Sequence, residues 1–265
     1  MVDDVEGSRR FQVDDAAYDR FMGRYSRPLA RVFADFAEVR SGLHVLDVGC
    51  GPGALTEELV ARVGAEAVRA LDPSEPFVAA CAARHPGVDV RLGRAEALPF
   101  DDGSVDRVVA QLVLHFVSDP AAVAAEFARV LRPDGIAAAC VWDFAEGMEM
   151  LRTFWDAALT VRRDAPDEAT TLRFGGPGEI AALLDAAGFV DIEEAELAVA
   201  SRYGDFDELW DGFLAGVGPA GTFCLSLDGD ERAVLRHELH RRLGEPRGSF
   251  TLGAVARAAC GRRDG

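Results

Sequence analysis

The chain contains no lysine: all 28 of its Lys/Arg positions among 265 residues are arginine, a bias we attribute to genomic base composition rather than to mechanism. Against them stand 45 aspartates and glutamates, so the formal net charge is −17. Such a chain has no positive field to gather phosphates, which argues against a nucleic acid or an anionic membrane as partner. The arginine pairs at Arg9-Arg10 and Arg262-Arg263 are too short to reverse this. No apolar run reaches membrane-spanning length, and the acidic start lacks the apolar stretch of a signal peptide, so a cytoplasmic location is expected. The five cysteines (Cys50, Cys81, Cys140, Cys224, Cys260) are odd in number and scattered without metal-ligand spacing, and read as reduced thiols. No metal constellation, Ser/His/Asp set, internal repeat or low-complexity linker stands out. The length is enough for one substantial core.

What is there begins with Val45-Leu46-Asp47-Val48, a short run that reads as a buried strand. It breaks into Gly49, Gly51 and Gly53, with Pro52 between the last two, and Ala54 to Val63 then carries apolar residues at helical spacing. Strand, glycine turn and helix in that order predict the first unit of a nucleotide-binding α/β sheet. The glycines open backbone angles closed to other residues and let a ligand lie against bare main chain. As a pattern, Gly49-x-Gly51-x-x-Ala54 with Asp72 further on also satisfies the dinucleotide fingerprint, which leaves an NAD(P)-dependent oxidoreductase open. Two residues tilt the choice. Asp47 puts a carboxylate beside the turn, repelling a pyrophosphate but suiting a cation, and Pro52 removes an N–H where a phosphate would want donors. A phosphate-free, positively charged adenosine compound fits better, and S-adenosylmethionine is the obvious one.

Further strands are expected at 67–72, 88–92, 105–114, 136–142, 190–200 and 249–260, the last returning antiparallel beside the sixth. Helices alternate with them, near 73–84, 119–131, 148–163 and 177–187, the last closed by Gly188. Helical pieces at 206–214 and 230–243 flank a glycine-rich bend at 216–221. Before the first strand, aromatic spacing from Asp15 to Glu38 predicts two short helices broken near Ser26-Arg27-Pro28, with Ser26 capping the second. The expected fold is a doubly wound, mostly parallel, seven-stranded Rossmann-like α/β sheet whose last strand is antiparallel, with helices on both faces and a helical cover.

The glycine loop, the acid at Asp72, the loop Gly93-Arg94-Ala95-Glu96-Ala97-Leu98-Pro99-Phe100 and the turn Arg132-Pro133-Asp134-Gly135 occur in order. Together with the start Tyr18-Asp19-Arg20-Phe21-Met22-Gly23-Arg24-Tyr25-Ser26, they make the chain resemble a class I S-adenosylmethionine-dependent methyltransferase of the small-molecule type. The resemblance covers residues 18 to 143 well and the rest loosely. It implies one domain over 1–265: an N-terminal lid (1–40), a cofactor-binding core (41–143) and a substrate-side half (144–265) with a helical insert near 201–247. It also implies that Gly49, Cys50 and Gly51 face the methionine part of the cofactor, with Asp47 holding its ammonium directly or through water. Asp72 would then accept from both ribose hydroxyls. Pro73, Ala95 and Glu96 would flank the adenine, and Gln111 and Leu112 would lie beside the sulfonium. Tyr18 would close over the cofactor and Arg24 reach its carboxylate. The turn at 132–135 reads as structural, with Gly135 at a positive-φ position.

Methyl transfer from a sulfonium is an in-line displacement with a neutral thioether leaving, so alignment in a water-poor pocket supplies most of the catalysis. A hydroxyl or protonated amine acceptor still needs a proton removed. His115 is the best-placed candidate base, set against its reading as a core or loop histidine. Trp142 and Asp143 are further acceptor contacts. Phe154, Trp155, Phe206, Trp210 and Phe213 could wall the pocket. The expected partner is a small-molecule methyl acceptor nucleophilic at O, N or C, bound by a monomer or homodimer. A non-catalytic S-adenosylmethionine-binding protein is the alternative from another class.

Overall fold

The structure, a computed structural model, describes residues 19–265. Its centre is a seven-stranded sheet in the order β3-β2-β1-β4-β5-β7-β6. The strands are β1 (Val45–Val48), β2 (Val68–Asp72), β3 (Asp89–Leu92), β4 (Val105–Gln111), β5 (Leu131–Trp142), β6 (Phe189–Tyr203) and β7 (Phe250–Arg263). All neighbours pair parallel except β7, which runs antiparallel between β5 and β6. From β1 the chain steps outward to β2 and β3, then jumps back to β4 and continues the other way. The strand order therefore reverses between β1 and β4, and a crevice opens beyond their carboxyl ends.

Alternation divides the core. Val45, Val109, Ala138, Cys140 and Trp142 face one way, packing with α1 (Arg24–Phe36), α2 (Ala54–Val63) and α5 (Glu149–Val161). Leu46, Val48, Val108, Ala110 and Val141 face the other, against α4 (Pro120–Val130) and α7 (Glu179–Ala186). Helix α3 (Glu75–Arg84) follows β2. Over the first face lie the short α6 (Glu168–Thr171) and the cover helices α8 (Phe206–Leu214), α9 (Gly218–Ser226) and α10 (Gly229–Arg242). Asp119 starts α4 by accepting from Ala122 N at 3.0 Å, with Pro120 in the first turn where its missing N–H costs nothing. Asp228 and Glu231 form a reciprocal capping box on α10.

Four local expectations change. Residues 24–36 form one helix through Pro28, following directly on a π-helical turn at Asp19–Gly23. Ser26 is accordingly buried rather than a cap. Strand β4 stops at Gln111, because Leu112 adopts φ +63° and a tight turn follows at Leu114–Phe116. Part of the glycine-rich bend is helix α9. Before β5 it is Asp134, at φ +62°, that takes the left-handed backbone. Gly135 is required for space instead: a Cβ there would lie 2.8 Å from Leu131 Cδ2 and 2.9 Å from the Arg132 carbonyl.

Candidate active site

The bend after β1 is tied to the end of β2 by main chain. Gly49 N and Cys50 N both donate to the Leu71 carbonyl, at 2.9 and 3.0 Å. Gly49 and Gly51 have φ of +71° and +53°, open to glycine and strained for other residues. They differ in what surrounds them. A Cβ on Gly49 would stand 2.5 Å from Val113 Cγ2, whereas one on Gly51 would meet nothing within 4 Å, because it faces the crevice.

Asp72 closes β2 with its carboxylate in that crevice. Oδ2 accepts from Gly51 N and Oδ1 from Ser74 N, each at 2.9 Å. Burial pushes its pKa up to about 6, against the pull of those two N–H groups. Each oxygen keeps a lone pair for a ligand hydroxyl. A cavity of about 860 Å³, counting its open mouth, spreads from here. Gly49, Gly51, Asp72, Pro73, Ala95, Glu96, Gln111 and Leu112 all lie in its wall, so eight of the sequence-predicted cofactor residues meet in one place. Phe77, Arg94, Val113, Phe116 and Val117 join them without having been singled out. Glu96 is anchored rather than loose, since its Oε1 accepts from Ser118 N at 3.0 Å and Ser118 Oγ at 2.8 Å. Burial opposes its charge, but Ser118 and Arg94 outweigh burial and hold Glu96 below the usual carboxylate range.

Three expected cofactor contacts lie elsewhere, and Tyr18 is outside the described residues. Asp47 shares the face of Val45, which turns it under α2, where Thr56 Oγ1 donates to it at 2.7 Å. Fully buried, its carboxyl is pushed up to about 7, the Thr56 bond pulling it down and nearby Asp72 adding to the rise. The Cys50 side chain packs on Ala70 and Cys81 behind the bend. Arg24 points away to the cover: its guanidinium lies 3.9 Å over the Tyr203 ring and donates to the Arg202 carbonyl at 3.1 Å and Glu208 Oε1 at 2.5 Å.

A second cavity, about 470 Å³ with its mouth, adjoins the first and shares Leu112 and Phe116 with it. His115 and Trp142, two of the residues expected to meet an acceptor, lie in its wall. The Trp142 Nε1 is buried and has no acceptor among the described residues. Phe21, Met22, Phe144, Leu151, Val217 and Pro219 supply apolar walls. Asp143 does not take part. Its Oδ2 receives Arg257 Nη2 at 2.8 Å and its Oδ1 receives Ala145 N and Glu146 N at 3.1 and 3.0 Å. Burial opposes that charge too, but these bonds keep Asp143 below the usual range. The five expected aromatic walls are core instead. Phe154 stacks on Phe213 with centroids 4.2 Å apart, and Trp155 packs on Phe223.

Sequence reasoning missed Glu168. It is buried, lines the second cavity, and receives Trp155 Nε1 on Oε2 at 2.8 Å. Its only signal was an acid just inside a capped turn, which ordinarily serves the helix dipole at the surface.

Comparisons with known proteins find methyltransferases. A model described as a methyltransferase domain matches residues 46–139. Nocamycin O-methyltransferase of Saccharothrix syringae is 34% identical over 255 residues, covering 85% of this chain and 89% of that protein. A structure described as a type II methyltransferase from Anaeromyxobacter dehalogenans shares 24% identity at a TM-score of 0.62, over 90% of this chain and 96% of its own. Phosphoethanolamine N-methyltransferase 2 of Haemonchus contortus, solved with phosphomonomethylethanolamine and S-adenosylhomocysteine, has a TM-score of 0.61 at 16% identity, over 100% of this chain and 61% of its own.

Proposed function

The chain belongs to the class I S-adenosylmethionine-dependent methyltransferases, and on that premise we propose that it methylates an oxygen nucleophile of a small, mostly apolar acceptor by in-line displacement. The observation that carries the reading is the pair of adjoining cavities, one edged by glycine main chain and Asp72, the other apolar around His115. The residues of the first cavity fit the cofactor. Asp72 has one oriented oxygen for each ribose hydroxyl, Gly51 leaves open space above bare main chain, and Ala95 and Glu96, in the same wall, would flank the adenine. When bound, S-adenosylmethionine supplies an electrophilic methyl on a sulfonium that leaves as a neutral thioether.

The protein therefore needs no acid for the leaving group. Leu112 and Phe116, shared by both cavities, border the line of transfer, and the apolar walls exclude water from it. His115 takes the proton of the acceptor hydroxyl, the one step that alignment alone does not provide. Oxygen is favoured over nitrogen or carbon by the relative from Saccharothrix, an O-methyltransferase by name. An NAD(P)-dependent oxidoreductase is disfavoured by Pro52, which denies the bend a donor for a pyrophosphate. Among the described residues no helix is long and apolar enough to cross a membrane, and the acidic charge and free buried thiols fit a cytoplasmic setting.

Titration calorimetry with S-adenosylmethionine, S-adenosylhomocysteine and NAD tests the cofactor site. Binding of the first two is expected, weakened about 30-fold by Asp72→Ala, the worth of a charged hydrogen-bond pair at about 2 kcal/mol. Tight NAD binding without either adenosyl compound would overturn the assignment. Mass spectrometry of a small-acceptor panel, hydroxyl against amine, tests the acceptor class.

A further inference from the structure

The acceptor chamber borders a cavity on each of two sides. It shares Leu112 and Phe116 with the donor cavity, and it shares Phe21 with a third cavity of about 1040 Å³, counting its mouth. This outer cavity is lined from the approach to α1, the end of β6 and the cover helix α8. Among the described residues, the donor cavity and the outer one have none in common. An acceptor that presents its nucleophile beside Leu112 and Phe116 therefore extends toward Phe21. Beyond that residue the surroundings change, since Arg20, Arg24, Tyr203, Glu208 and Asp211 give the outer cavity a polar wall where the chamber is largely apolar.

Phe21 is seated rather than loose. It belongs to the π-helical turn Asp19–Gly23 that leads into α1, and it is 4% exposed. Its ring meets Phe213 on α8 edge-on, with centroids 5.2 Å apart. One edge of the same ring faces Gly212, where an added Cβ would lie 2.9 Å from Phe21 Cδ2 and 3.4 Å from Cε2. Glycine weakens a helix interior relative to alanine, yet α8 carries one at the position where the ring needs room. Gly212 lines the outer cavity and not the chamber, so the ring edge that rests on it lies on the boundary between them. A ring packed against two consecutive residues of a cover helix acts as a stop, because close-packed surroundings yield little.

We propose that Phe21 is a specificity-determining residue: its ring ends the acceptor chamber and sets how long an apolar acceptor fits, with Gly212 as the notch that keeps the ring in place. This rests on the assignment of the second cavity to the acceptor. Without the ring, the chamber runs on into the outer cavity and admits a longer molecule.

The test uses a ladder of probes, phenols whose 4-alkyl chain grows from methyl to octyl. Their affinities for the S-adenosylhomocysteine-loaded protein are read by ligand-observed NMR in the wild type, Phe21→Ala and Gly212→Ala. In the wild type each methylene is expected to tighten binding about fourfold, the worth of burying one CH₂, until the chain meets the ring and the gain stops. Phe21→Ala should move that break about two methylenes later, into the space the ring vacates. Gly212→Ala should move it earlier, because the added Cβ pushes the ring into the chamber. S-adenosylhomocysteine affinity is expected to be unchanged in both variants. Should Phe21→Ala fail to fold, Phe21→Leu replaces it, with a break about one methylene later. A gain that continues unbroken to octyl in the wild type, or a break at the same length with and without the ring, overturns the proposal. No binding by any member of the ladder overturns the assignment of this chamber to the acceptor, and the proposal with it. Failure of S-adenosylhomocysteine to bind the wild type would instead sink the methyltransferase site itself.

Discussion

The cavity assigned to the methyl donor and the one assigned to the acceptor are built from different materials. The first is edged by main chain: glycines at positive φ, a carboxylate clasped by two N–H groups, and the loop after β3. The second is enclosed by side chains from stretches as far apart as Phe21, His115, Leu151, Glu168 and Pro219. Main chain at strand ends binds what every relative with this chemistry must bind, while side chains on covers can change without disturbing the sheet. Damage to one cavity should therefore leave the other intact, and that separation can be attacked directly.

The largest effect is expected from His115→Ala. Turnover of the acceptor found by the mass-spectrometric panel should fall by about 10²- to 10⁴-fold, the worth of a general base, with calorimetric affinity for S-adenosylhomocysteine unchanged. Full turnover would remove His115 as the base. Gly49→Ala attacks the other side. A Cβ 2.5 Å from Val113 at a left-handed backbone should cost about 2–3 kcal/mol in thermal denaturation. Gly51→Ala, with open space around it, should cost only the conformational share of about 1 kcal/mol. Equal losses at both positions would mean that packing against Val113 is not what the bend requires.

A third effect of about 2 kcal/mol concerns the floor beneath the bend. Because burial raises Asp47 to about 7, the folded state holds that proton more tightly than the unfolded chain does. The stability this contributes is complete below about pH 4 and is lost as pH rises through 7. Asp47→Asn removes the term, so its stability relative to wild type should improve by about 2 kcal/mol between pH 5 and 7.5 in denaturant titrations. His85, lowered chiefly by burial, pulls the opposite way but is common to both proteins and cancels. A pH-independent difference would place Asp47 in a more polar setting than its surroundings indicate. The smallest effect is reserved for Arg24→Ala: affinity for S-adenosylmethionine within about twofold of wild type, with about 1 kcal/mol lost from stability as its stacking on Tyr203 disappears. A tenfold loss of affinity would return Arg24 to the donor cavity.

The same contrast explains what could be read from residues alone. Gly49, Gly51 and Asp72 announce themselves because a backbone constraint is written at the residue that bears it. Asp47 did not reveal its direction because β1 is buried along its whole length, which leaves no polar alternation to show which face a side chain takes. Arg24 found partners about 180 residues away, at Arg202 and Glu208, across a contact that no local spacing encodes. Gly135 was correctly singled out but for conformation, when the demand there is for room and Asp134 bears the unusual backbone angle. The aromatic residues of the cover were legible as apolar, yet Phe154 and Phe213 satisfy each other, and the chamber is walled by less conspicuous residues such as Leu151 and Val217.

Leu112, which with Phe116 borders both chambers, is held in a backbone region that side chains enter only under strain. A party wall of this kind makes the neighbours answerable to each other. Whatever factor an occupant on one side imposes on affinity across it, the other returns in equal measure, since equilibrium coupling has no direction. Changes in the size of residue 112 should accordingly be felt as changes in cooperativity between donor and acceptor as well as in fit to either.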